Sequence, residues 1–306
     1  MSSIVRLQNV SRSFGTKVAV SSLDLEVKAG SIHGFLGPNG SGKTTTLRMI
    51  TGLMQPDSGT VEVFGKEGGA GASPAMGYLP EERGLYRGMT VLSILEFFAR
   101  LKGMHNPRSA VLDWLDRLDL SGAGPLRVEA LSKGMAQRVQ FIAAIIHSPK
   151  LAVLDEPFSG LDPVHAGQLM RAVRELRDAG TTIILSTHDL TVAQRLCTHL
   201  FMIHHGRKVL DGSLEDTLAR HGCTTVRVTP RDIASPWPGC TGVANATRDG
   251  TDWELRLEPD ADANSVVREL MRQFPLTAFT TGSASLSDIF FRLVGVREGE
   301  SVGQGT

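Results

Sequence analysis

The sequence predicts an α/β fold: a mainly parallel sheet with an antiparallel β-subdomain, a helical insert and a small C-terminal α+β domain. Three observations carry that expectation. The apolar segment SIHGFL (31–36) runs into the glycine-rich GPNGSGKTT (37–45) and then into TTTLRMITGL (44–53), in the order strand, loop, helix. The apolar LAVLD (151–155), a helical stretch from Pro163 to Ala179 closed by Gly180, and TTIILST (181–187) follow one another. Strand, helix, strand in that order calls for parallel strands joined by a crossover helix. Ahead of the glycine loop, IVRLQNV and LDLEVKAG alternate apolar and polar residues between polar turns, as antiparallel strands do.

From Met89 onward the apolar spacing turns helical in VLSILEFFARLKGM and AVLDWLDRLDL, with Gly103 and Pro107 between them. KGMAQRVQFIAAIIHS after Ser132 reads as a further helix. Beyond residue 222 the segments TTVRVTP, GVANATR and DWELRLEP read as strands, the last two joined at the hairpin signal Asp249-Gly250. ANSVVRELMRQF then reads as a helix, LTAFTT as a strand and IFFRLVG as a last short helix, with Ser285 and Asp288 spaced as a capping box ahead of it. The expected organisation is a domain over 1–220 with a helical insert at about 89–145, an accessory domain over 222–296, and a flexible tail over 297–306.

Residue chemistry makes the glycine loop a phosphate site. Gly37, Gly40 and Gly42 let backbone N–H groups turn inward as an anion nest around Pro38, Asn39 and Ser41. The helix that follows points its positive dipole end at the same place, with Thr45 in its first turn. Lys43 adds a mobile point charge for β- and γ-phosphates, and the Thr44 hydroxyl is placed to ligate Mg²⁺. Length and composition narrow the remaining classes. Lysine plus arginine and aspartate plus glutamate number 32 each among 306 residues, so no overall field draws the chain to nucleic acid. Cys197, Cys223 and Cys240 have no paired spacing and read as thiols in a reducing compartment. MSSIVRLQNV has no signal-peptide pattern, and no stretch reaches the roughly 20 apolar residues of a membrane span.

Two further carboxylates complete a nucleotide-hydrolysing set. LAVLDEP ends an apolar strand in Asp155, suited to hold the metal, and Glu156, suited to act as general base on water. His188 follows the strand TTIILST, at the end where the carboxylates stand, and is suited to contact the γ-phosphate and the attacking water. His33, His147, His204 and His205 have no such setting and read as structural. LSKGMAQR (131–138) opens a second helix with Ser132 and Gly134. A second anion site of this kind suits two chains arranged head to tail, each closing the other's nucleotide.

With these segments in this order, residues 1–220 resemble the nucleotide-binding subunit of ATP-binding cassette (ABC) transporters, on a P-loop NTPase core. The resemblance rests on the Walker A loop (37–45), the signature LSKGM (131–135), the Walker B strand (151–156), the D-loop SGLD (159–162) and the switch histidine His188. It implies Mg²⁺ and ATP as cofactors, and two cassettes burying two ATP molecules. Phe14 stands where the family stacks an aromatic on adenine, and Ser132, Lys133, Gly134 and Asp162 stand where it reaches the partner's nucleotide. It also implies a homodimer or paired ABC subunit, a separate transmembrane permease, and a peripheral position on the cytoplasmic face of the membrane.

Two positions depart from the family pattern. Its usual signature LSGGQ becomes LSKGM, with Lys133 and Met135, and Glu81 occupies the place of its Q-loop glutamine. Both variants, with GYLPEERGLYRGMTV (77–91) and SLSDIFFRLVG (285–295), resemble the NatA-type sodium- and drug-export branch, which carries a C-terminal accessory module. Glu81 is a candidate metal contact or hinge residue. Leu85, Tyr86 and Met89 are either a docking surface for the membrane partner or core. The alternative reading is a soluble ABC ATPase acting on nucleic acid or ribosomes.

Overall fold

The computed structural model describes residues 3–71, 73–82, 84–221, 224–232, 236–258, 261–273, 275–283 and 286–294. The chain divides into two compact units, Met1–Leu214 and Glu215–Thr306. Ser285, of the expected capping box, Cys223 and the tail 297–306 lie outside the described residues.

The first unit contains two sheets. β1 (Ser3–Phe14) and β2 (Lys17–Lys28) pair antiparallel, with Gly15 at φ 57 in the connecting turn. Their alternation is real: Val5, Leu7, Leu23, Leu25 and Val27 turn into the core while Arg6, Gln8, Asp24 and Glu26 stay in solvent. β4 (Ser58–Val63) and β5 (Lys66–Glu67) extend this sheet in the order β2-β1-β4-β5.

The second sheet holds β3 (Ile32–Leu36), β6 (Met76–Leu79), β7 (Leu151–Asp155), β8 (Thr182–Thr187), β9 (His199–His204) and β10 (Arg207–Ser213). Its order is β10-β9-β3-β8-β7-β6, parallel throughout except for the antiparallel β9–β10 pair. Every residue of β3, β7 and β8 is buried, which explains why these strands read as mainly apolar runs rather than as alternating ones. Parallel pairing also brings their carboxyl ends to one edge, so the loops after β3, β6, β7 and β8 converge there.

Among the described residues of this unit the α-helices are α1 (Lys43–Ile50), α2 (Val91–Leu101), α3 (Arg108–Arg117), α4 (Lys133–Ile145), α5 (Pro163–Asp178) and α6 (Leu190–Leu196). α2 starts where Thr90 accepts from the Ser93 N–H, a side-chain cap at the first turn. α2, α3 and α4 pack together as the helical insert, with Trp114 edge-on to Phe141 at 6.4 Å between ring centroids. α5 has Asp162 as its N-cap and Pro163 in its first turn.

The second unit holds the rest of α7 (Leu214–His221), then β11 (Thr224–Pro230), β12 (Val243–Asp249), β13 (Asp252–Leu257), α8 (Ala263–Gln273), β14 (Leu276–Ser283) and α9 (Leu286–Val294). Its antiparallel sheet runs β12-β13-β11-β14, and Gly250 takes φ 58 in the β12–β13 hairpin. Val226, Val228, Leu255 and Leu257 on one face of the sheet cluster with Val266, Val267 and Leu270 of α8.

Candidate functional site

The glycine loop after β3 is shaped by contacts that only glycine permits. Gly37 and Gly42 take φ 151 and 111, and a Cβ added there would stand 2.1 Å from the Ile203 carbonyl and 2.5 Å from the Ala19 carbonyl. Neither position accepts a side chain without moving β9 or β2. The loop is closed on itself by the Ser41 N–H on the Pro38 carbonyl at 3.2 Å, and docked by the Gly206 N–H on the Ser41 carbonyl at 2.9 Å. α1 begins at Gly42 with no side-chain cap and no acidic residue in its first turn, which suits its N–H groups to an anion.

Lys43 is buried, and its ammonium donates to the carbonyls of Gly37 at 2.7 Å and Pro38 at 3.1 Å. Burial lowers its pKa, opposed by the charges of Glu156, Asp155 and Glu81. A cleft of 440 Å³ opens over this loop, lined by Phe14, Lys17, Ala19, Asn39, Gly40, Gly42, Lys43, Thr44, Thr45, Glu81 and Glu156. Phe14 is 47% exposed, with the Arg12 guanidinium 5.3 Å from its ring centroid. The strip from Phe14 to Thr45 thus runs from an apolar platform to a cationic nest.

The carboxylates lie at the far lip. Asp155 ends β7 fully buried, and its Oδ1 accepts from the Ser186 hydroxyl. Its Oδ2 is also buried and has no hydrogen-bond partner. An orphaned carboxylate oxygen is costly unless something positive meets it, so Asp155 fits a divalent cation. Mg²⁺ takes one or two carboxylates plus phosphate oxygens and water, and does not need a cage.

Glu156 adopts φ 47, a left-handed conformation rare outside glycine and concentrated at functional sites. Its N–H donates to Ser186 Oγ at 2.9 Å, its carbonyl accepts from the Ser159 N–H at 3.1 Å, and its Oε1 lies 2.9 Å from His188 Nδ1. The Glu156 side chain is 11% exposed and that of His188 60%, so the imidazole covers the carboxylate from the solvent side. Buried Gln137 donates to the Pro157 carbonyl at 3.1 Å and supports the same turn. Gln140 donates to the carbonyls of Pro80 and Glu82 at 3.2 and 3.0 Å, which fixes the segment that presents exposed Glu81 to the cleft.

The structure thus gathers Phe14, the loop 37–45, Glu81, Asp155, Glu156 and His188 around the carboxyl edge of the parallel sheet. Ser132, Lys133, Gly134 and Asp162 do not line that cleft. Ser132 caps α4, accepting from the Met135 N–H at 3.2 Å. Lys133 is exposed but not free of the chain: its stem crosses Gly160, where a Cβ would stand 2.6 Å from Lys133 Cε. Asp162 accepts from the N–H groups of Val164 and His165 at 3.0 Å each and pairs with His165 Nδ1 at 2.5 Å. These bonds, led by the His165 N–H, hold its carboxyl below the usual range.

Ser186, Gln137, Gln140, Lys17 and Arg12 are site residues outside the sequence reading. The only signal for Ser186 is a hydroxyl ending an apolar strand; for the two glutamines it is polarity on a helix face that the apolar spacing assigns to core. The histidines read as structural stay away from the cleft. His33 is buried against His199 at 4.5 Å between ring centroids, and burial followed by the His199 charge lowers its pKa to about 3. His147 Nε2 lies 3.2 Å from the Met76 carbonyl. Burial pushes the Cys197 thiol up to about 12, so it is inert as a nucleophile.

The family model described as "ABC transporter" matches residues 20–159, and "ATP-binding protein DrrA1-3-like, C-terminal domain" matches 212–294. The ABC transporter ATP-binding protein YhaQ of Bacillus subtilis is 36% identical over 295 residues, covering 95% of this chain and 99% of that protein. The Nod factor export ATP-binding protein I of Cupriavidus metallidurans is 33% identical over 310 residues, covering 96% and 98%. Among solved structures, an ATP-binding subunit of an ABC transporter superposes with TM-score 0.66 at 29% identity, over 71% of this chain and 92% of that one. A dimeric post-hydrolysis ATP-binding cassette bound to ADP and Pi shares the fold, with TM-score 0.64 and 24% identity over 69% and 98% of the two chains.

Proposed function

Because this chain belongs to the ATP-binding subunits of ABC transporters, ATPases coupled to transport, we propose that its cleft works as one half of a composite site shared by two copies. In this reading Phe14 stacks on adenine, while Lys43 and the amides of 37–45 hold the phosphates. Thr44 and the free Oδ2 of Asp155 hold Mg²⁺, with Glu81 at the cleft mouth beside them. When bound, the ion neutralises charge on the β- and γ-phosphate oxygens. Glu156 orients the attacking water and accepts its proton, and His188 steadies the carboxylate and faces the γ-phosphate. The observation that carries this reading is the Glu156–His188 contact of 2.9 Å, on the lip of the cleft that Lys43 lines.

The four residues outside the cleft give the second copy its part. Ser132, Lys133 and Gly134 at the start of α4, and Asp162 at the start of α5, are suited to reach a nucleotide held by the other cassette. ATP binding joins the copies and hydrolysis releases them. That a cassette of this fold has been solved as a dimer supports the arrangement.

We propose that a separate subunit carries the membrane step; no helix among the described residues is long and apolar enough to cross a membrane. We assign its docking surface to the insert. Tyr86 is exposed and sits edge-on to Phe97 at 6.1 Å, beside a groove of 480 Å³ lined by Met89, Ser93, Glu96, Phe97, Arg100 and Leu101. Attachment there places the protein peripherally on the cytoplasmic face. Export is the favoured direction, because full-length relatives are named for Nod factor export. The alternative of an ATPase acting on nucleic acid or ribosomes draws nothing from these relatives or from the balanced charge.

Sedimentation tests the composite site. Glu156→Gln protein with Mg²⁺ and ATP sediments as a dimer, and adding Ser132→Arg returns it to monomer while leaving ATP bound. A dimer that persists with arginine at 132, or a monomer under all conditions, overturns the shared site.

A further inference from the structure

We propose that Ser186 is a positioning residue that sets both carboxylates of the site through one hydroxyl. The proposal rests on the roles given above to Asp155 and Glu156, and concerns what holds them in place. Parallel pairing puts Asp155 of β7 opposite Ser186 of β8, with Phe35 of β3 on the other side. The hydroxyl has one donor and two acceptor lone pairs. The donor goes to Asp155 Oδ1, and a lone pair takes the Glu156 N–H at 2.9 Å.

Two consequences follow from that division. Engaging Oδ1 leaves Oδ2 as the one unpartnered oxygen of Asp155, so the hydroxyl selects which oxygen is offered to a cation. Holding the Glu156 N–H supports the residue at φ 47, a conformation that needs surrounding contacts to persist. From that backbone position its Oε1 meets His188 at 2.9 Å. Packing alone gives no reason for serine here. Ser186 is fully buried, and Ile183, Ile184 and Leu185 before it are apolar. A hydroxyl in such a run is unfavourable unless its bonds are made, and an alanine would fit the same space.

The test compares Ser186→Ala and Ser186→Thr in the full chain. Mn²⁺ binding is followed by electron paramagnetic resonance with ADP present, nucleotide affinity by fluorescent ATP in EDTA, and turnover by phosphate release. Outer-shell partners of metal ligands are worth about 10- to 100-fold. Ser186→Ala is therefore expected to weaken Mn²⁺ binding by about tenfold and turnover by about 10- to 100-fold, with metal-free nucleotide affinity unchanged. Ser186→Thr keeps the hydroxyl and restores both. The proposal is overturned if Ser186→Ala retains wild-type Mn²⁺ binding and turnover. It is equally overturned if threonine is as defective as alanine, or if metal-free nucleotide affinity falls in step with turnover. Asp155→Asn and Glu156→Gln run in parallel separate the two levels. If they too leave Mn²⁺ binding and turnover intact, the site reading itself fails; if they fall and Ser186→Ala does not, only the role of Ser186 fails.

Discussion

Replacing Glu156 by glutamine separates chemistry from binding in this cleft. The amide has the carboxylate's size and its oxygen still meets His188, so the 2.9 Å contact and the packing of an 11%-exposed side chain survive. What is lost is the negative charge and with it the ability to accept a proton. A positioned base contributes about 10²- to 10⁴-fold, or about 3–5 kcal/mol at 1.36 kcal/mol per decade. Turnover is therefore expected to fall at least about a hundredfold with ATP affinity unchanged. His188→Ala removes a hydrogen bond to a charged group, worth about 1.5–3 kcal/mol, and so costs turnover about 10- to 100-fold. If the imidazole acts through the carboxylate, the losses do not multiply: His188→Ala in the Glu156→Gln background adds little. Steady-state phosphate release measures turnover for all four proteins, and fluorescent nucleotide titration measures affinity. Near-wild-type turnover in Glu156→Gln, or a double variant equal to the product of the singles, refutes the base and its support.

Three other outcomes follow from buried groups. Burial lowers the Lys43 pKa, so its charge is lost on raising pH sooner than for an exposed lysine. ATP affinity, titrated by fluorescence, should begin to fall correspondingly early, and Lys43→Met should weaken it by about tenfold or more and flatten the dependence. His33 titrates near 3 in the fold against 6.5 when unfolded, so the unfolded chain binds more protons between these values and stability falls as pH drops through that window. At pH 5 the loss is about 2 kcal/mol. Urea unfolding at pH 7.5 and pH 5 should show that slope, and His33→Leu should remove this share of it. Gly77 packs against α4 so closely that a Cβ would stand 1.9 Å from the Ala144 carbonyl. Gly77→Ala should thus destabilise the first unit by about 2–3 kcal/mol in urea unfolding, because backbone rather than a flexible side chain must yield.

How far each feature was legible depends on the range of the interaction behind it. The strand, loop and helix around Lys43 are local, and glycine chemistry fixes them: with Ile203 and Ala19 carbonyls at 2.1 and 2.5 Å from the missing Cβ atoms, no other residue serves. The β12–β13 hairpin is equally local and turns at Gly250 as its dipeptide indicates. β4, β5, β6, β9, β10, α6 and α7 were not legible in advance. Their segments are short or mixed in polarity, and pairing partners elsewhere in the chain decide their conformation.

The site obeys the same rule, and Ser186 shows where it bites. Nothing near position 186 marks the hydroxyl as functional; it matters because β7 and β8 are paired so that Asp155 lies opposite it, 31 residues earlier in the chain. A parallel sheet aligns residues by register and not by sequence distance. Sequence motifs therefore reveal the groups that meet the nucleotide, while the groups that hold those in place appear only once the register is known. Gln137 on the Pro157 carbonyl and Gln140 on the carbonyls of Pro80 and Glu82 are of the same kind. All three act on backbone or on one carboxylate oxygen, contacts whose spacing leaves no imprint in a motif. Departures at Lys133 and Glu81 are best judged in that light: Lys133 opens α4 with its stem against Gly160, and Glu81 sits on a segment held by Gln140, so the effect of each on turnover depends on those supports as much as on its own charge.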